Sequence, residues 1–289
     1  MTTTCPATPT VDHDLLVDAA WLAAHLTDPQ VRVVEVDVTL ATYEDWHIAG
    51  ATVWNLYTDL KTPDYRTVGE PEVTALLARS GIAPESTVVL YGYAPAFGLW
   101  LLEHHGHADT RILDCSRETW HASGHPTATG APPDRTTSTP AYGPHAEDER
   151  LRADVTRVRT SIGDPHVTLL DVRSTPEYDG ECFWPSGGLE PGGRAGHVPT
   201  AVHVPLDAGH GLYDDRGAFR GPAELREVFA PVDLDGAGEL VTYCTIGGRA
   251  ATAWFVLSHL LGREHVRVYD GSWAEWGHLA DTPVQRVTA

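Results

Sequence analysis

The amino-acid sequence predicts an α/β protein made of two tandem halves, each a mainly parallel sheet flanked by helices. Three observations predict it. Short β-branched runs alternate with helical patterns. The same series of segments occurs twice, in the same order. The spacing between partner segments grows steadily along the chain.

The first half offers VRVVEVDV (Val31–Val38), WHIAGATVWNL (Trp46–Leu56), STVVLYG (Ser86–Gly92) and TRILDCSRETW (Thr110–Trp120). The second offers VTLLDVR (Val167–Arg173), GHVPTAVHVPL (Gly196–Leu206), ELVTYC (Glu239–Cys244) and VRVYDGSWAEW (Val266–Trp276). Partner positions lie 134 (Asp37 to Asp171), 150 (His47 to His197), 152 (Tyr91 to Tyr243) and 156 residues apart (Trp120 to Trp276). A duplicated unit whose second copy took insertions behaves this way. Most of the slip comes from ECFWPSGGLEPGGR (Glu181–Arg194), which reads as an added loop.

Helices are expected between these runs. Val73–Leu77 and Pro222–Phe229 read as short ones. Over Ala250–Leu261, apolar residues at Ala253, Trp254, Leu257, Leu260 and Leu261 fall on one helix face, and Gly262 ends the pattern. The segment His121–Glu149 is rich in Pro, Thr and Gly and reads as the linker. That places the halves at 1–143 and 144–289.

Composition excludes some functions. With 20 basic and 40 acidic residues among 289, the formal charge is −20, which opposes nucleic acid or an anionic membrane as partner. No apolar run approaches the roughly 20 residues of a membrane span. No basic segment followed by an apolar one opens the chain, so a cytoplasmic protein is expected. Cys5, Cys115, Cys182 and Cys244 are too far apart for zinc spacing, and no metal or cofactor is expected. The 16 histidines, His104, His105 and His107 included, read as ordinary surface and core residues. Lys61 is the only lysine, so an anion site is expected to use arginine or backbone amides.

Chemistry concentrates at YCTIGGR (Tyr243–Arg249). Cys244 ends an apolar run just before a helical pattern. In open parallel sheets ligands bind beyond the carboxyl ends of strands. Thr245, Ile246, Gly247, Gly248 and Arg249 must turn tightly into the helix, and the glycines permit the backbone angles needed. Such a loop points several N–H groups at one spot on the positive end of the helix dipole. A thiol held there is pushed toward thiolate, with Arg249 adding a full charge. The cradle would equally favour a persulfide or a bound oxyanion.

YCTIGGR, LLDVRSTPEYDG (Leu169–Gly180), GHVPTAVHVPL and YDGSWAEW (Tyr269–Trp276), with weaker first-half copies HIAGA (His47–Ala51) and LDCSRETW (Leu113–Trp120), resemble the two-domain rhodanese family, the thiosulfate and mercaptopyruvate sulfurtransferases. The resemblance spans about Leu15 to Val284. It implies two rhodanese-like domains with the nucleophile, Cys244, in the second. That cysteine would take sulfane sulfur from thiosulfate or 3-mercaptopyruvate and pass it to cyanide, a thiol or a sulfur-carrier protein. The six residues from Cys244 to Arg249 match the sulfurtransferase loop, where the related phosphatases use one more. Gly92 stands at the cysteine place of the first half, whose loop GYAPAFG (Gly92–Gly98) holds no cation.

The resemblance also suggests donor contacts. Arg173 matches a family arginine that touches the donor. Glu177 or Tyr178 stands where many members have a second arginine, with Arg194 a possible replacement. Arg66 lies in the first-half stretch that would face the cleft. The Thr245 hydroxyl stands one place before the serine of mercaptopyruvate enzymes. The Cys-x-Ile-Gly-x-Arg pattern favours thiosulfate. A persulfide carrier serving a dedicated partner is the alternative to a turning-over enzyme.

Overall fold

The computed structural model describes residues 15–132, 147–206, 211–236 and 238–287. The expected boundary between halves and Cys5 lie outside them. The first half runs β1 (Leu16–Val17), α1 (Ala19–His25), β2 (Val31–Asp37), α2 (Ala41–Asp45), β3 (His47–Ile48), β4 (Thr52–Asn55), α3 (Glu70–Arg79), β5 (Thr87–Gly92), α4 (Pro95–His104), β6 (Thr110–Leu113), α5 (Arg117–Ala122) and β7 (Thr127–Ala128). The second runs β8 (Arg152–Ala153), α6 (Val155–Ser161), β9 (Val167–Asp171), α7 (Thr175–Asp179), β10 (Val202–His203), α8 (Pro222–Val228), β11 (Glu239–Tyr243), α9 (Gly248–Phe255), β12 (Val266–Tyr269) and α10 (Ser272–His278).

The two sheets have matching strand orders, β1-β6-β5-β2-β4 and β8-β12-β11-β9-β10. Every pairing within them is parallel. Helices cover both, as parallel strands with apolar side chains on each face require. The repetition extends to single atoms. His47 and His197 each direct Nδ1 to a tyrosine carbonyl, of Tyr43 at 2.9 Å and Tyr178 at 2.8 Å, and stack on the same ring. The residue after each histidine donates its N–H to a strand-end tyrosine, Ile48 to Tyr91 and Val198 to Tyr243.

The helix expected over 250–261 begins two residues earlier, at Gly248, and its last turn, Val256–Leu260, widens to a π-helix before Gly262. The first-half segment expected as a loop over 92–98 is helical from Pro95 onward. Proline fits there because a first-turn N–H has no intrahelical partner. Helix α4 is buried on nearly all sides, from Ala96 to Leu102. It packs on α9, so one continuous core joins the sheets through this pair of helices.

Candidate active site

Cys244 directly follows β11, the central strand of the second sheet, where the chain turns into α9. Gly247 makes that turn with φ +97° and ψ −25°, a left-handed conformation that side chains resist. Its N–H donates to Cys244 Sγ at 3.1 Å. Among the described residues this is the one backbone N–H that reaches the sulfur, where several were expected. The loop is held from behind: Cys244 N–H donates to Ser272 Oγ at 3.2 Å, Trp273 N–H to Cys244 O at 2.9 Å, and Ala274 N–H to Thr245 O at 2.8 Å. Ser272 adopts φ +53° to make these contacts.

Cys244 is only 1 % exposed and belongs to the core, yet it lines a cleft of about 480 Å³ between the halves. The second half also lends Trp184, Pro185, Ser186, Ile246, Gly248 and Arg249 to the lining; the first lends Val38, Tyr57, Tyr65 and Tyr93. The insert Glu181–Arg194 therefore forms one wall. Trp184 is fixed there by its Nε1–H to Glu190 at 2.6 Å. Trp273 and Trp276 are core residues instead. Tyr93 is exposed overall, yet partial loss of hydration at its hydroxyl raises that group above its ordinary pKa.

Arg249 does not face the cleft as a free charge. Its two terminal nitrogens grip Glu177 at 2.9 Å each, and Nη2 also donates to Thr245 Oγ1 at 2.7 Å. The Thr245 hydroxyl donates to Glu177 in turn. Burial alone would raise the Glu177 carboxyl, but Arg249, Thr245 and Ser174 outweigh it and hold the group below its ordinary value. Thr245 thus spends its hydroxyl on this network rather than on a donor. Glu177, which the sequence offered only as a missing arginine, is the partner of the site's arginine. Its readable signal is the Ser174…Glu177 capping box that starts α7.

A Rhodanese-like domain family model matches residues 154–279. A Mycobacterium tuberculosis thiosulfate sulfurtransferase by name, SseA, is 38% identical over 275 residues, covering 93% of this chain and 90% of its own. The sulfur carrier protein TtuD of Thermus thermophilus is 36% identical over 287 residues, covering 94% and 97%. Among solved structures, YnjE superposes with TM-score 0.82 over 96% of this chain and 70% of its own, at 24% identity. An EanB variant in complex with ergothioneine does so with TM-score 0.83 over 96% and 71%, at 23% identity. The chain belongs to the rhodanese sulfurtransferase family. The resemblance read from YCTIGGR and its companion motifs therefore holds, as does the α/β fold of two sheet–helix units.

Three arginines expected to touch the donor in this rhodanese lie elsewhere. Arg173 is fully buried, clamped to Asp171 by Nε at 3.0 Å and Nη2 at 2.6 Å, with Nη2 also on Gly196 O. Its guanidinium lies 4.4 Å from the Trp273 ring centroid, so it braces the core beside β9. Arg194 closes the end of α10, donating to the carbonyls of Thr282 at 2.7 Å, Trp276 and Leu279. Arg66 is half exposed and paired with Asp64 at 2.5 Å. None of the three lines the cleft. A sequence motif marks an arginine but not the acid or carbonyl that claims it.

The lone lysine lies close to the Cys244 loop, a position its sequence context did not indicate. Lys61 comes from the first half, is buried, and donates Nζ–H to Asp270 O of the second half at 2.6 Å. It sits directly behind the Gly247 turn. Elsewhere, His104, His105 and Glu147 bring one potential ligand atom each to within 4.8 Å of one another, a cluster the sequence spacing did not reveal. No helix among the described residues is long and apolar enough to cross a membrane.

Proposed function

We propose that this rhodanese moves sulfane sulfur through a persulfide on Cys244, with thiosulfate preferred over 3-mercaptopyruvate as donor. Residues 144–289 act as the catalytic domain and 1–143 as a domain without a nucleophile, in the cytoplasm. The carrying observation is the Cys244 sulfur at the floor of an inter-half cleft, accepting the Gly247 N–H at the start of α9. An N–H donor and a helix start both favour the anionic sulfur over the neutral thiol.

In the first step the Cys244 thiolate attacks the outer sulfur of thiosulfate. The thiosulfate S–S bond breaks, sulfite leaves with the electron pair, and a Cys244 persulfide remains. In the second, cyanide or a thiolate attacks the outer persulfide sulfur, and the bonding pair returns to Cys244. The thiosulfate preference is supported by the Cys-x-Ile-Gly-x-Arg loop and by relatives named for that donor. Intact mass after incubation with each donor tests it. A gain of one sulfur, mapped to Cys244, is expected with thiosulfate at lower concentration than with mercaptopyruvate. No gain with either, or gain on another cysteine, overturns it.

A second reading is a carrier that hands its persulfide to one partner protein. Two observations favour it: the relative named as a sulfur carrier, and the exposed Leu40, Tyr57, Tyr93 and Leu189 on segments that frame the cleft. Steady-state thiocyanate formation separates the two. Sustained turnover excludes the carrier, whereas a single stoichiometric transfer excludes the enzyme.

A further inference from the structure

We infer that Lys61 of the first half is the counter-charge of the Cys244 sulfur, so that the catalytic loop is electrostatically complete only when both halves meet. This rests on the Cys244 persulfide reading, since it concerns the same sulfur.

Among the described residues, the arginines around the loop are each held by a carboxylate, whereas Lys61 is not. Arg249 is bound by Glu177. Arg152 is bound by Asp270 at 2.9 Å, and the other Asp270 oxygen accepts the Thr67 N–H. Arg66 is bound by Asp64, and stands 3.9 Å from Glu275, whose carboxyl burial pushes up toward the neutral form. Lys61 bonds a neutral acceptor, the Asp270 carbonyl. Among the described residues, Lys61 is thus the cation near the loop with no carboxylate hydrogen bond, and the sulfur lies within electrostatic reach of both Lys61 and Arg249, whose nitrogens Glu177 already holds.

The approach is close. A Cβ placed on Gly247 would lie 3.2 Å from Lys61 Nζ, 2.8 Å from Phe97 and 3.0 Å from Asp270 O. Glycine at this position therefore admits the ammonium to the back of the residue whose N–H holds the sulfur. On its other side Nζ lies 4.4 Å from the Phe97 ring centroid, on α4 of the first half. No solvent competes for the charge, because Lys61 is 5 % exposed. Burial pushes the Lys61 ammonium down to about 8, against the pull of Asp270 and of Cys244. Those two, with Arg152 and Glu275, are the charged groups that act on it. The coupling must be reciprocal: whatever Lys61 contributes to an anionic sulfur, the sulfur returns to the ammonium.

The single lysine makes this measurable in the intact protein. With ¹³Cε-lysine there is one side-chain signal to titrate. Capping Cys244 with iodoacetamide, which leaves a neutral thioether, is expected to move the Lys61 midpoint to lower pH by about one unit. In the complementary variant, Lys61→Met, iodoacetamide labelling of Cys244 at pH 7, followed by peptide mapping, should slow about tenfold and its profile should move to higher pH. Lys61→Arg should restore part of the rate. A purely structural Lys61 would lower thermal stability without moving either profile. An unmoved Lys61 midpoint on capping overturns the inference even if Lys61→Met fails to fold. Neither readout needs sulfur transfer. Shifted profiles without persulfide formation would sink only the proposed function, and persulfide formation with unmoved profiles would sink only the inference.

Discussion

The turns after β5 and after β11 hold the same place in two sheets of the same strand order, but only the second carries a cysteine. At Gly92 the backbone takes φ +103°, and an added Cβ would lie 2.9 Å from Val36 O and 3.0 Å from Glu35 Cγ. That turn has no room for a cysteine. At Cys244 the left-handed residue comes three positions later, at Gly247, which leaves space for a side chain at the strand end. The first half instead supplies walls and charge: Val38, Tyr57, Tyr65, Tyr93 and Lys61 all reach the second half's site. On the proposed function, a repeated fold thus divides the labour of one active site between its two copies.

The largest expected break of this asymmetry is Cys244→Ser. The change is nearly isosteric, so folding should persist. Thiocyanate formation should fall by at least about a thousandfold, the usual consequence of losing a covalent nucleophile. Residual transfer above that level would mean the first half or another cysteine, Cys115 or Cys182, carries sulfur.

Next in size is Glu177→Ala, which leaves Arg249 charged and unpaired in a buried site. Removing one partner of a buried ion pair costs about 3–5 kcal/mol, readable by urea unfolding. Because the Glu177 carboxyl sits below its ordinary value when folded, its contribution is present at neutral pH. It disappears as pH falls through the folded value. The variant should therefore lose less stability on acidification than the parent does. An equal acid sensitivity in both would show that the Arg249–Glu177 pair is not the anchor of the loop.

Much of this architecture was legible beforehand because each half repeats its own signals. The strand-end tyrosines Tyr91 and Tyr243 fall at equivalent places, because local runs set them, but the residues opposite them are Glu35 and Asp171, so the sequence match of Asp37 to Asp171 is two residues out. Cys244 was legible for the same reason: strand, glycines and helix are contiguous. What escaped notice was long-range. Arg249 meets Glu177 across 72 residues, and Lys61 meets Asp270 across 209. A residue's charge is written in the sequence, but whether it is spent depends on a partner that only folding brings near. That is why Arg173, Arg194 and Arg66 looked available, and why a lone lysine looked irrelevant.

A smaller effect is expected from Gly92→Cys. Placing a nucleophile at the matching turn should not create a second sulfur site. It should cost about 1–3 kcal/mol, because a side chain must adopt a left-handed backbone against Val36. Persulfide mapped to position 92 after thiosulfate treatment would show the first turn to be more adaptable than its geometry states.

The smallest effect compares how each half buries an acid beneath its strand-end tyrosine. In the second, Asp171 is gripped by Arg173 through two nitrogens. In the first, Glu35 accepts the Tyr91 hydroxyl at 2.5 Å and has Arg117 Nε at 3.2 Å without a well-aligned hydrogen bond. Burial then dominates and pushes the Glu35 carboxyl from 4.5 up to about 7, against Tyr91 and Arg117. A raised folded value means the unfolded chain releases its proton first. The stabilising share is full below about pH 4.5, declines as pH rises, and is gone above about pH 7. Glu35→Gln removes that titration while keeping a group that can accept from Tyr91. Urea midpoints of the variant should thus fall less than those of the parent between these two pH values, and a parallel fall would mean Arg117 keeps Glu35 ionised as firmly as Arg173 grips Asp171.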